Sequence, residues 1–179
     1  MRKLLNEELE RLSAEEFKKS SKLRAVVVLD NIRSAHNTGS VFRTCDAFRI
    51  EKIFLCGITA TPPHREIHKT ALGATESVQW EYYSDTLKAV QDLKAEGYRI
   101  CALEQTDRSI NLMKFTPAPD TAYALIFGNE MRGVDQAVIE QCDMALEIPQ
   151  YGTKHSLNVS VSVGVTLWEF FRHLQDRIT

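Results

Sequence analysis

Six short strand-like segments, each followed by a polar or amphipathic stretch, constrain this chain most. They are 25–30 (AVVVLD), 52–57 (KIFLCG), 78–83 (VQWEYY), 98–104 (YRICALE), 123–128 (YALIFG) and 144–149 (MALEIP). The continuous apolar run at 25–30 suits a strand covered on both faces, as in a parallel sheet. Helical patterns lie between the runs. Residues 37–48 set Val41, Phe42, Cys45 and Phe48 on one face, and 61–76 hold a loop with a short helix. Residues 84–97 open at Ser84 or Asp85 and stop at Gly97, 134–142 form another helix, and a long helix runs to about Ile178. This alternation predicts an α/β fold: a largely parallel six-stranded sheet with helices on both faces. Residues 105–120 read as irregular. Residues 1–22 read as a charged helical extension, in which Leu5, Leu9, Leu12 and Phe17 predict a helix over 3–20, and 23–179 read as one domain.

Composition narrows the function classes. The chain has 179 residues with a net charge of −2, which is less basic than a binder of long duplex usually is. The charge is uneven, with nets of +2, +2 and −6 over 1–24, 25–69 and 70–179. A local basic patch can still steer a polyanion, and His36, His64 and His68 lie in the same basic third. An ordinary solvated surface is the competing reading of that patch. Four widely spaced cysteines without a CxxC pair point to a reducing cytosol and to no zinc ribbon. The charged start lacks the apolar core of a signal peptide, and the apolar stretch 157–168 is too polar inside for a membrane span, so no membrane partner is expected. His64 and His68 have metal-ligand spacing, but no third ligand is evident, so no metal is expected.

No dinucleotide fingerprint, P-loop, nucleophile elbow or HExxH is present. Three polar, glycine-bearing loops remain just past strand ends, where ligands sit in such folds. In DNIRSAHNTGSVFRTCDAF, Asn37 could cap the helix, Gly39 permits a close approach, and Arg43 could share a cleft with Asn37 and meet a phosphate. A capped surface helix with a solvated arginine is the plain alternative. In LIFGNEMRGVDQ, Glu130 could bind a ribose hydroxyl, orient a base or move a proton, or could simply hold the turn. In LEIPQYGTKHSLNVSVSVGV, Ser156 and Asn158 open a helix whose small residues Ser160, Ser162 and Gly164 suit either a packed interior or a dimer interface.

Together, in order and spacing, these segments resemble the three motifs of the SpoU (TrmH-like) branch of the SPOUT RNA methyltransferases. They are Asn37-x-Gly39-x-x-x-Arg43, then Phe127-Gly128-x-Glu130-x-x-Gly133, then Ile148-Pro149, Gly152 and Ser156-Leu157-Asn158-Val159-Ser160-Val161. The resemblance runs from about Arg24 to the C-terminus. It implies a C-terminal trefoil knot, a homodimer, and methyl transfer from S-adenosylmethionine to a ribose 2′-hydroxyl in tRNA or rRNA, with S-adenosylhomocysteine as product. By position it implies a cofactor pocket lined by Leu103, Gly128, Ile148 and Leu157. It implies catalytic roles for Arg43, Asn37, Glu130, Ser156 and Asn158. Arg43 would act either as an assisted base or, since a guanidinium stays protonated near neutral pH, as a phosphate clamp that stabilises the developing alkoxide. Lys18, Lys19, Lys22, Arg24, Arg33, His64, Arg65 and Lys69 are expected to contact RNA phosphates. Arg49 stands where the family commonly has Gly, and Gln150 where it commonly has Met. Other readings are a non-catalytic RNA-binding protein of the same fold, a base-directed SPOUT methyltransferase, and a flavodoxin-like nucleotide binder.

Overall fold

A computed structural model describes residues 1–178. Every strand pairing in it is parallel. The strands are β1 (Leu23–Asp30), β2 (Ile50–Cys56), β3 (Gln79–Tyr83), β4 (Arg99–Leu103), β5 (Ile110–Asn111), β6 (Tyr123–Phe127) and β7 (Met144–Glu147). They form one sheet of seven strands in the order β3-β2-β1-β6-β4-β7-β5, one strand more than the six expected. The addition is β5, which lies in the stretch read as irregular and pairs with β7 through only two residues, Ile110 and Asn111. A strand so short carries no apolar period.

The central strands explain their own sequences. β1 alternates Ala25, Val27 and Leu29 into one core and Val26 and Val28 into the other, so both faces are apolar and the run is unbroken. Helices cover both faces. On the first face lie α2 (Ala35–Ala47), α3 (Arg65–Ala71), α4 (Ala74–Ser77) and α7 (Val159–Leu174). On the second lie α5 (Thr86–Ala95) and α6 (Gln136–Ile139). Phe170 of α7 anchors the first layer, with its ring 5.2 Å from Tyr123 edge-on and 5.8 Å from Phe115.

The N-terminal segment departs from the single helix expected over 3–20. A 3-10 turn covers Asn6–Leu9, Glu10 takes a positive φ of 46°, and α1 spans only Ala14–Lys19. Ser13 starts that helix: its hydroxyl accepts from the Glu16 amide while Glu16 accepts from the Ser13 amide at 2.8 Å. Phe17 is buried, whereas Leu5, Leu9 and Leu12 stay exposed, so the leucine spacing had no core to face.

The strand order reverses between β1 and β6. The chain leaves β1 for α2 on one face and leaves β6 toward α6 on the other. Diverging connections open a crevice beyond the carboxyl ends of these strands, the usual place for a ligand in such a sheet.

Candidate active site

The crevice is organised by one carboxylate. Glu130, in the loop after β6, accepts the amide of Arg33 through Oε2 at 2.9 Å and the amide of Ser34 through Oε1 at 3.1 Å. Its Oε1 also accepts Asn37 Nδ2 at 2.9 Å. Asn37 Oδ1 in turn accepts Asn158 Nδ2 at 3.2 Å. Asn158 is the N-cap of α7, its Oδ1 accepting the Ser160 amide at 2.9 Å. Three of the expected residues from three distant segments therefore form one hydrogen-bonded chain. Burial works to raise the Glu130 carboxyl, but the Arg33 amide, the Asn37 side chain and the Ser34 amide outweigh it and hold it below its ordinary value.

Asn37 does not cap α2, as its position suggested. Ser34 does, accepting the Asn37 amide at 3.3 Å, and this frees the Asn37 side chain to reach Glu130. Gly39 is required because α2 packs closely on α3: a Cβ there would lie 2.1 Å from Thr70 Oγ1 and 2.5 Å from the Ile67 carbonyl. Gly128 is required for a different contact. Its Cβ would lie 2.0 Å from both the Gly133 carbonyl carbon and the Val134 nitrogen, so the loop from 128 to 134 folds back on bare backbone.

The cleft beside this network has a volume of about 500 Å³, within the usual range for a small-molecule site. Leu103, Gly128, Ile148 and Leu157 all line it, as do Glu130, Ser156, Asn158 and Gln150. Its walls combine apolar side chains, the bare backbone near Gly128, and the carboxylates of Glu104, Glu130 and Glu147. With Arg132 and His155 also in the lining, the cleft suits a partly apolar ligand that carries charged groups.

Arg43 is not in the cleft lining. Six residues on from Asn37, it lies about 9 Å along the axis and roughly a third of a turn round the helix. It is exposed and, among the described residues, makes no hydrogen bond or ion pair. It shares its face of α2 with His36, which pairs with Glu66 of α3. Within this chain Asn37 and Arg43 therefore point about a third of a turn apart on α2.

The expected RNA contacts separate into two groups. Arg33, His64, Arg65 and Lys69 follow the carboxyl ends of β1 and β2, on the edge that carries the cleft. His64 caps α3, its Nδ1 accepting the Glu66 amide at 3.2 Å, and Lys69 pairs with Glu66 at 2.7 Å. Lys22 and Arg24 flank the start of β1, at the opposite edge. Lys22 is half-buried, held by the carbonyls of Phe17 and Ser20 and lying 4.4 Å from the Phe17 ring centroid. Arg24 donates to the Asp120 carbonyl at 3.2 Å. Lys18 and Lys19 belong to α1 at that same edge.

Arg49 takes a φ of 50°, so the position where glycine was the expected residue does need left-handed backbone, and Arg49 donates to the Ile178 carbonyl at 2.8 Å. Burial raises the thiols of Cys56 and Cys101 to about 12 and that of Cys142 to about 11, with Cys45 well above its ordinary value, so none supplies a thiolate nucleophile. Among the described residues no three His, Cys, Asp or Glu are grouped to hold a metal, and no helix is long and apolar enough to cross a membrane.

Two carboxylates at strand ends escaped the sequence reading, of which only Glu104 lines the cleft. Asp30, 2% exposed at the end of β1, accepts Thr86 Oγ1 at 2.6 Å and the Asp135 amide at 3.0 Å. Glu104, just past β4, accepts the Val134 amide at 2.9 Å. An acidic residue at a strand's carboxyl end was the available signal for both.

Comparison with known proteins agrees with this geometry. The model of the SpoU rRNA Methylase family matches residues 24–168. A TrmH-family protein of Staphylococcus haemolyticus is 29% identical over 150 residues, covering 84% of this chain and 59% of its own length. The 23S rRNA (guanosine-2′-O-)-methyltransferase of Neisseria meningitidis serogroup B is 32% identical over 144 residues, covering 80% of this chain and 56% of its own. This chain therefore spans under two thirds of the length of both. Among solved structures, the TrmH/SpoU tRNA modifying enzyme of A. aeolicus superposes with a TM-score of 0.79 at 27% identity, covering 91% of this chain and 81% of that one. The AdoMet-bound rRNA methyltransferase of Sinorhizobium meliloti gives 0.78 at 26%, covering 87% and 61%.

Proposed function

From the premise that this chain belongs to the SpoU methylase family, we propose that it transfers a methyl group from S-adenosylmethionine to a ribose 2′-hydroxyl of tRNA or rRNA. The observation that carries this reading is the chain of hydrogen bonds from Asn158 through Asn37 to Glu130, set against a cleft that all four expected cofactor residues line. A 2′-O-methyltransferase among the relatives and an AdoMet-bound structural neighbour support it.

The cleft suits this cofactor. Leu103, Ile148 and Leu157 offer apolar walls for an adenine, and the carboxylates favour a cation. When bound, S-adenosylmethionine supplies an already activated methyl on a sulfonium, so no metal or covalent enzyme intermediate is needed. The chain's residues then position the ribose. Glu130 stays ionised with its oxygens occupied by Arg33, Ser34 and Asn37, so its part is to hold the loops rather than to take the proton. Ser156 and Asn158 border the cleft, where they can orient the substrate. Arg43 clamps an RNA phosphate and stabilises the developing charge on the 2′-oxygen, whose proton passes to solvent water as the methyl leaves the sulfonium.

A homodimer completes this reading. Val161, Val165 and Trp168 recur along one face of α7, all exposed, with Val161 at 50% and Trp168 at 55%. Arg43, absent from the cleft lining of its own chain, would serve the cleft of the second copy. The C-terminal part reads as the family's trefoil knot. What supports this is that β7 lies between β4 and β5, two strands already joined by residues 104–109. Residues 1–22 read as an extension to the methyltransferase domain of 23–179. Arg33, His64, Arg65 and Lys69, on the cleft edge, are better placed for RNA phosphates than Lys22 and Arg24.

Arg43→Ala tests the reading. It should lower methyl transfer by roughly a hundredfold or more while S-adenosylhomocysteine binds with unchanged affinity. Near-wild-type turnover in this variant would sink the role.

A further inference from the structure

We infer that Glu104 binds the cofactor through its ribose, accepting hydrogen bonds from the two vicinal hydroxyls. The inference rests on the cofactor reading given above. Glu104 follows Leu103, the last residue of β4, and lines the cleft. Its Oε2 accepts the Val134 amide at 2.9 Å and its Oε1 accepts the Gln105 amide at 2.9 Å. Gly133, at a φ of +71°, lies so close that a Cβ there would be 2.1 Å from Glu104 Oε2. The carboxylate is therefore fixed by backbone on both oxygens, bridging the loop after β4 and the loop after β6.

Each carboxylate oxygen has two lone-pair sites, and one on each is taken. The second on each remains, and among the described residues no cation pairs with Glu104. Two fixed acceptors side by side match two adjacent hydroxyl donors. The other carboxylates of the cleft are less suited. Glu130 already takes three donors, and Glu147 accepts Ser109 Oγ at 2.9 Å beside the edge strand. An acid beyond a strand's carboxyl end holds a ribose hydroxyl in the dinucleotide-binding α/β folds as well.

Calorimetric titration with S-adenosylhomocysteine and its 2′-deoxy and 3′-deoxy analogues tests this without a turnover assay. The unaltered chain should bind the deoxy analogues about ten- to a hundredfold more weakly, as expected for hydrogen bonds to a charged acceptor. In Glu104→Ala that penalty should fall below about threefold. Glu104→Gln, which keeps the packing and one acceptor, should lie between. Binding of the deoxy analogues by the unaltered chain within about threefold of the parent overturns the inference with no variant needed. So does a hydroxyl penalty in both variants as large as in the unaltered chain. Failure of the unaltered chain to bind S-adenosylhomocysteine at all overturns the cofactor reading and this inference with it. Binding without hydroxyl discrimination overturns this inference alone.

Discussion

Glu130→Ala removes the acceptor of three hydrogen bonds that join the loop after β6 to the start of α2. A hydrogen bond to a charged group contributes about 1.5–3 kcal/mol net, but a donor that water can reach recovers part of this. Arg33 is exposed, so its amide is rehydrated, while Ser34 and Asn37 are half-buried. The loss is therefore roughly 2–4 kcal/mol, which for a chain of this size lowers Tm by roughly 5–15 °C. Glu130→Gln keeps one acceptor and turns an amide NH2 toward donors, so it should lose about half as much. The sign with pH follows from the depressed carboxyl. Its stabilisation is present above the ordinary value of 4.5 and is lost as pH falls through the lower folded value. Differential scanning fluorimetry of the wild type and both variants from about pH 3 to pH 8 checks the reasoning. The gap in Tm between wild type and Glu130→Gln should be constant near neutral pH and close in acid. A drop below about 1 °C for Glu130→Ala at neutral pH, or a gap that widens in acid, would refute it.

Other substitutions probe the remaining parts. Gly128→Ala puts a Cβ 2.0 Å from backbone atoms of Gly133 and Val134, so the loop must move and S-adenosylhomocysteine binding should fall at least about tenfold by calorimetry. Gly39→Ala presses on Thr70 and the Ile67 carbonyl, separating α2 from α3, and should lower Tm by roughly 3–10 °C. Trp168→Glu places a charge in the exposed apolar face of α7 and should convert a dimer to a monomer in sedimentation, whereas a wild-type monomer at micromolar concentration contradicts the proposed assembly.

The parts of the fold that are plain in the sequence are those where burial acts on both faces. β1 and β6 read directly as strands because Val26, Val27, Val28 and the run 123–127 have no solvent side. β5 was hidden because two residues, one of them Asn111, carry no period, and only its pairing with β7 makes them a strand. The helix over 3–20 shows the opposite error. Its leucine spacing is real, but a short helix without a surface to pack on is broken by the cap at Ser13. Within the site, Glu130, Asn37 and Asn158 were visible as polar residues at strand and helix ends, yet their mutual contacts were not. Ser34 caps α2, while the Asn37 side chain, inside the helix, reaches the carboxylate of Glu130, 93 residues further along the chain. Glu104 was missed because its partners, Val134 and Gly133, come close only when β4 and β6 pair.

The most direct test of the central claim is to incubate the purified chain with isotopically labelled S-adenosylmethionine and unmodified tRNA and rRNA, then digest the RNA to nucleosides and identify the labelled product by mass spectrometry. Label should appear in a single 2′-O-methyl nucleoside and be lost with Arg43→Ala. Label on a base, or bound cofactor with no transfer to either RNA, would contradict it.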